Sequence, residues 1–435
     1  MYALLAIVFI VGYAMIALEH PLRINKAAPA VLVGMLIWAL LMLGHEQLFP
    51  PGEGDFHSLN HHLMEHMSDI ASILFFLLGA MTVVELMDAH EGFRVITDRI
   101  KTTNKTALLW VLGFISFFLS AALDNMTTAI VMAALLRKFI KEKEDLWMFA
   151  GMVIIAANAG GAWSPIGDVT TIMLWIGGQV TTMNIISKLI LPSLVCLIVP
   201  LIYLSFKSKG KLELLEVPDV PAGDARAELT KGEKYLVFFL GLGTLLGVPI
   251  FKNYTHLPPF MGIMLGLGIL WIVTEFLHLR HPLWQERNQM TVSSILKKVD
   301  HSSILFFLGI LLAVAGLQVA GHLRDLAEVL DQKLGNIWAI NSIIGVLSAV
   351  VDNVPLVAGA MGMYPMTQYP PDHLFWELLA LCAGTGGSIL IIGSAAGVAV
   401  MGILHIDFIW YLKRIAVPAA LGYVASIITF WLLWH

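Results

Sequence analysis

Three aspartates lie inside sequence apolar enough to sit in a membrane. Asp124 and Asn125 close the phrase Ser120-Ala121-Ala122-Leu123-Asp124-Asn125, and 228 positions later Asp352 and Asn353 close Ser348-Ala349-Val350-Val351-Asp352-Asn353. Asp168 falls between them, in the segment Asn158-Ala-Gly-Gly-Ala-Trp-Ser-Pro-Ile-Gly-Asp-Val-Thr-Thr171. An ionisable group in hydrocarbon is costly unless paired or hydrated, so each is a functional candidate by default. The surrounding segments add Asn158, Thr170, Thr171, Ser388 and Ser394, and the candidate set then holds three carboxylates, three carboxamides and five hydroxyls. No Lys, Arg or His lies in the four segments that supply it. Oxygen-only, negatively charged sites fit hard cations. Carboxylates that lose a cation in a low-dielectric pocket tend to take up protons instead, the more so when several share the site. Competition between a cation and protons for one site is the simplest physical basis of cation/proton exchange.

These residues need elements to hold them at membrane depth. The chain has 435 residues, 58% of them hydrophobic and 13% charged, with apolar runs near twenty residues from end to end. A water-soluble core cannot absorb such runs, and the fold class expected is an all-α polytopic membrane protein. Spans are expected at residues 2–18, 27–43, 69–87, 146–177, 185–206, 235–251, 258–278, 301–320, 374–404 and 408–434. Two further stretches, 106–136 and 337–363, are too long for one untilted helix and carry the Asp-Asn phrase near their middles; each reads as a helical hairpin. The first run lacks a basic flank and a small-residue cleavage site, which makes it a retained span and not a signal peptide. Cys196 and Cys382 both fall in apolar runs and read as small buried hydrophobes.

Threading the chain through these spans puts all but four of its 26 Lys and Arg on one side; Lys188, Lys252, Arg324 and Lys333 are the exceptions. The positive-inside rule makes that side cytoplasmic and places both termini outside. The hairpin at 106–136 has basic flanks at both ends, so it enters and leaves on the cytoplasmic face, either re-entrant or as two crossings.

The chain also repeats. Ser72-Ile-Leu-Phe-Phe-Leu77 recurs as Ser303 to Leu308, the Asp-Asn phrase follows in each half, and Gly160-Gly161 is echoed by Gly386-Gly387, each with a glycine further on, Gly167 and Gly393. Landmarks kept in order at nearly one separation indicate duplication. Each half, 1–206 and 235–435, holds five spans and one hairpin, an odd number of crossings, so the second must be upside down relative to the first. Inverted-topology repeats are a transporter signature. The stretch between them, 207–234, carries mixed charge with Pro218, Pro221 and Gly223 and reads as a cytoplasmic linker.

Gly160, Gly161, Pro165 and Gly167 would break an ordinary transmembrane helix within 146–177, and Gly384, Gly386, Gly387 and Gly393 do the same within 374–404. Broken helices and hairpin tips would meet near the midplane. Plainer readings stand beside this one. Asp-Asn is an ordinary turn, Asp168 after Gly167 is a helix cap, and Thr170, Thr171 and Ser394 can bond backbone in their own helices. Ser120 and Ser348 lie one helical turn before the aspartates and are supporting residues. Glu85 and Asp88 read as interfacial, with Glu85 kept as a residue for a proton path. In the outer loop before the third span, His57, His61, His62, Glu65 and His66 include the pattern H-x-x-E-H. The loop is too short for a catalytic domain; adventitious metal binding or histidine titration fits it better than zinc catalysis, and an undirected solvated loop is the default.

With Ser120–Asn125 followed by Thr127-Thr128, the Asn-Ala-Gly-Gly and Ser-Pro-Ile-Gly-Asp elements of Asn158–Thr171, and Ser348 to Pro355, the chain resembles the NhaD-type Na+/H+ antiporters of the ion transporter superfamily along essentially its full length. The resemblance implies exchange of Na+ or Li+ for H+ in a bacterial inner membrane by a homodimer of scaffold and moving, elevator-like transport domains. No enzyme activity, no resident cofactor and no nucleic-acid partner are expected. The ligand set is then Asp124, Asn125, Asn158, Asp168, Thr170, Thr171, Ser348, Asp352, Asn353, Ser388 and Ser394. A Na+-coupled anion symporter of the same superfamily is the alternative, although an acid at each tip would repel an anion. An intramembrane aspartyl protease pairing Asp124 with Asp168 would leave Asp352 without a task, and a channel shares the carboxylates and broken helices.

Overall fold

The computed structural model describes residues 1–49, 55–97, 102–212, 230–280 and 291–435. Among these the chain is helical; one isolated bridge, Asn104 with Lys211, is the exception. The first half contains α1 (Tyr2–Ala17), α2 (Ala27–Leu43), α3 (Phe56–Ala89), α4 (Lys105–Leu123), α5 (Asn125–Phe139), α6 (Lys143–Ala162), α7 (Val169–Ile176) and α8 (Thr182–Ser205). The second contains α9 (Lys231–Thr255), α10 (Pro259–Arg280), α11 (His301–Val319), α12 (His322–Leu334), α13 (Ile337–Leu347), α14 (Asn353–Met363), α15 (Leu374–Gly386), α16 (Ala395–Leu404), α17 (Phe408–Arg414) and α18 (Ala416–Trp434). Among the described residues, eight helices are long and apolar enough to cross a membrane. Their outer faces carry large apolar side chains such as Ile250, Phe276 and Leu432, each 60% exposed or more. In water that surface would be a liability; against acyl chains it is the solvated face. The chain is a multi-pass membrane protein.

The helix breaks fall where the sequence frees the backbone. α6 ends at Ala162, two residues short of Ser164-Pro165, and Asp168 restarts the helix with a capping box in which Thr171 answers its backbone. α15 ends at Gly386 and Ser394 caps α16. The Asp-Asn phrases interrupt their own stretches: Asp124 alone separates α4 from α5, and residues 348–352 separate α13 from α14.

Corresponding residues of the two halves make the same joints. Ser120 Oγ donates to the Ala157 carbonyl at 2.6 Å, and Ser348 Oγ to the Ala383 carbonyl at 2.8 Å. A Cβ on Gly160 would lie 2.1 Å from the Phe117 carbonyl oxygen, and one on Gly386 would lie 2.0 Å from that of Gly345. Glycine is required at both places because the phrase-bearing helix and the broken helix touch backbone to backbone. One apolar core fills the space among α4, α5, α6, the end of α8 and α16 to α18. Another runs from α1, α2, α3, α9, α10 and α11 into α7, α14 and α15. Within it α2 and α11 cross so closely that a Cβ on Gly34 would meet the Gly309 carbonyl oxygen at 2.4 Å, a small-residue contact of the kind that lets membrane helices approach.

Two expectations change. The final span is present but starts later than the run 408–434: the helix long and apolar enough to cross begins at Ala416, after Lys413-Arg414, and the run's first residues form the short α17, bent 118° from α16. The histidine-bearing stretch is not a loop, because α3 continues through it as a single 34-residue helix capped by Asp55. The linker expected at 207–234 falls largely outside the described residues, as do residues 98–101 of the connector before α4.

Candidate functional site

The first tip is a one-residue turn. Asp124 has φ 114° and ψ 161°, a backbone region that is essentially confined to glycine. Its carboxylate closes on its own turn, Oδ1 accepting from the Thr127 N–H at 2.8 Å and Oδ2 from the Thr127 hydroxyl at 2.7 Å. Asn125, which follows it, is buried and turns inward: Nδ2 donates to Asn158 Oδ1 at 3.0 Å and to Asp168 Oδ2 at 2.5 Å.

Asp168 is the hub. Its Oδ1 accepts from the Thr170 N–H and hydroxyl, each at 2.8 Å, and the Thr171 hydroxyl donates to its carbonyl at 2.9 Å. Asn353, from the second phrase, brings Nδ2 to 3.3 and 3.4 Å of the same carboxylate. The two asparagines of the duplicated phrase therefore converge on the one aspartate whose counterpart is a serine, Ser394. Asn158 joins the halves a second time, its Nδ2 donating to Ser388 and Ser394 hydroxyls at 2.9 Å each.

The second tip has a different circuit. Asp352 caps α14 with a longer bond, 3.2 Å from the Val354 N–H, because the third residue on is Pro355, which has neither N–H nor hydroxyl. Its other oxygen accepts from Lys26 Nζ at 2.8 Å. Four helices, α5, α7, α14 and α16, begin at Asp124, Asp168, Asp352 and Ser394 respectively. Their positive ends face the carboxylates and offset part of the cost of burying them.

A pocket of about 40 Å³ lies between the tips, lined by Asp124, Asn125, Asp168, Asp352 and Asn353 with Thr127 and Ser303. Five of the eleven residues read from the sequence thus share one wall. Asn158, Thr170, Thr171, Ser388 and Ser394 stand behind it as hydrogen-bond partners, and Ser348 ties the second tip to α15. A cavity of about 360 Å³ reaches Thr127 and Ala395 past Glu85, Asp88, Lys298 and Asp300. Another, of about 470 Å³, reaches Asp352 past Tyr13. Glu85 thus lines a cavity that shares Thr127, Ser303 and Ala395 with the smaller pocket.

The missing residue was Lys26. One of the three carboxylates, Asp352, does have a compensating base, but it comes from the connection between α1 and α2, 326 residues from its partner. One signal was available: a lysine at the N-terminal end of a helix sits at the wrong end of the macrodipole and calls for an acid elsewhere. In the histidine-bearing stretch, His61, His62 and Glu65 bring ligand atoms within 4.8 Å of one another on the exposed part of α3, and none of them lines the pocket.

The chain matches the CitMHS family, described as citrate transporter, over residues 13–379. It is 48% identical to sodium/proton antiporter 1 of Arabidopsis thaliana over 97% of this chain and 71% of that protein. It is 43% identical to sodium/proton antiporter 2 of the same plant, over 98% of each, and 35% identical to the Na(+)/H(+) antiporter NhaD of Vibrio cholerae, over 99% of this chain and 91% of that one. Relatives of this similarity over almost the whole length, bacterial and plant alike, place the chain in the NhaD-type Na+/H+ antiporter family.

Proposed function

We propose that this protein is a secondary transporter that exchanges Na+ or Li+ for H+ through the pocket between the two tips. The observation that carries the reading is the convergence of Asn125 and Asn353 on Asp168, beside Asp124 and Asp352, in a space of ion size. Three carboxylates with carboxamides and hydroxyls behind them hold either a hard cation or protons, and the two loads compete. The antiporter names of the relatives support the same reading. The proposal includes residues 1–206 and 235–435 as inverted repeats joined by 207–234, and the recurrent serine and glycine joints support it. It also includes a homodimer with scaffold and transport parts moving in elevator fashion, in a bacterial cytoplasmic membrane with both termini outside. The remaining ligands proposed, Asn158, Thr170, Thr171, Ser348, Ser388 and Ser394, act by orienting the five that line the pocket.

The test is the pH change that Na+ or Li+ drives in proteoliposomes holding the full chain. Wild type is expected to exchange, and Asp124→Asn and Asp352→Asn each to lose most of it; exchange left intact in both would remove the site assignment. The citrate-transporter description of the matching family favours a second reading, a Na+-coupled anion symporter. Counterflow of labelled citrate or succinate separates the two, since an acid at each tip disfavours an anionic cargo.

A further inference from the structure

We propose that Lys26 is a tethered counter-cation for Asp352: its ammonium holds the second-tip carboxylate while no Na+ does, and Na+ takes that carboxylate by displacing it. This rests on the reading of the pocket as a Na+ site and goes beyond it by giving a residue outside the four site segments control over occupancy.

The geometry sets up a competition. Lys26 Nζ lies 2.8 Å from Asp352 Oδ2, and that aspartate also lines the ion-sized pocket. The same ammonium sits 4.3 Å from the centroid of the Phe306 ring, a face that attracts a cation without needing a carboxylate. Lys26 lines the two cavities of about 360 and 470 Å³, so a displaced ammonium has space to move into. Departure from Asp352 therefore leaves the lysine a resting place.

Its anchor is stiff. Lys26 begins α2, whose crossing with α11 is locked by Gly34 against Gly309 and by Trp38 Nε1 donating to the Leu312 carbonyl at 2.9 Å. Phe306 is on α11, so ring and lysine belong to one rigid pair of helices while Asp352 belongs to the tip. A group tethered this way competes at an effective concentration in the millimolar range or above, the range in which Na+ must bind to be exchanged usefully.

A merely structural role fits less well. An isolated ion pair in a protected place gains little net stability, and α2 begins at the end of a helix dipole that disfavours a cation. The duplicated phrase supplies an internal control: among the described residues Asp124 and Asp168 have no Lys, Arg or His partner. Asp352 differs because Pro355 denies it the closure that Thr127 gives Asp124.

Two measurements on the full chain test this. In proteoliposomes, Lys26→Met is expected to lower the Na+ concentration for half-maximal exchange about tenfold, and Lys26→Arg to stay within about threefold of wild type. In detergent, an amine-acylating reagent read out by mass spectrometry is expected to label Lys26 several-fold faster in saturating NaCl than in choline chloride, and at the fast rate in both media for Asp352→Asn. Half-saturation unchanged or raised in Lys26→Met, or labelling of Lys26 indifferent to Na+, would overturn the proposal. The labelling needs no transport. A wild type that fails to exchange yet labels in a Na+-dependent way sinks the antiport reading and keeps the lysine; exchange with Na+-indifferent labelling sinks the lysine alone.

Discussion

The two tips share a phrase and divide its work. At the first, Asp124 spends both oxygens on Thr127 and leaves a backbone at φ 114°; at the second, Asp352 has an ordinary φ of −51° and an oxygen free for Lys26. One residue type three positions on, Thr127 against Pro355, separates them. The two tips rest on matching serine and glycine joints, and the difference of single residues makes one tip self-contained and the other open to a third party. The same holds for Asp168 and Ser394, which cap equivalent helices but bring charge to only one. The frame is shared and the charge is not.

The comparison is broken most severely at Asp168. Asp168→Ser copies the residue of the other half, keeps the cap, and leaves Asn125 and Asn353 without their common acceptor; Na+-driven exchange in proteoliposomes is expected to fall by about a hundredfold or more, since an orphaned buried donor and a lost charge act together. Next come the shared joints. Gly160→Ala and Gly386→Ala force a Cβ against a carbonyl oxygen, and each is expected to cost about 1–3 kcal/mol in thermal stability of the detergent-solubilised protein, with matched losses; a loss confined to one half would end the equivalence. Smaller effects sharpen the difference between the tips. Thr127→Val removes the hydroxyl but not the N–H from Asp124 and is expected to raise the Na+ half-saturation about tenfold. Pro355→Thr offers Asp352 the closure it lacks, loosens Lys26, and is expected to lower the same quantity by about threefold.

Much of the site was legible because membrane depth makes polarity conspicuous. Asp124, Asp168 and Asp352 stand out from their apolar context, and the Gly-Gly and Pro signals locate the breaks to within a few residues. The final span begins later than its apolar run, and the signal for that was present: Lys413-Arg414 interrupts the run, and α18 starts just beyond. Hydropathy also cut α3 short, since it senses hydrocarbon and not helix, and the His- and Glu-bearing turns that extend α3 are compatible with both. Lys26 was hidden for another reason. Its partner is set by how α2 and α11 pack against the tip that begins α14, a packing fact that no local pattern carries.

Asn158 has a carboxamide with no idle atom. Its oxygen accepts from Asn125 in the first half while its nitrogen serves two hydroxyls in the second. Turning that plane strains all three bonds together. A disturbance of Asn125 beside the first tip therefore reaches Ser388 and Ser394 through one planar group, and the two halves share that group's orientation instead of each setting its own.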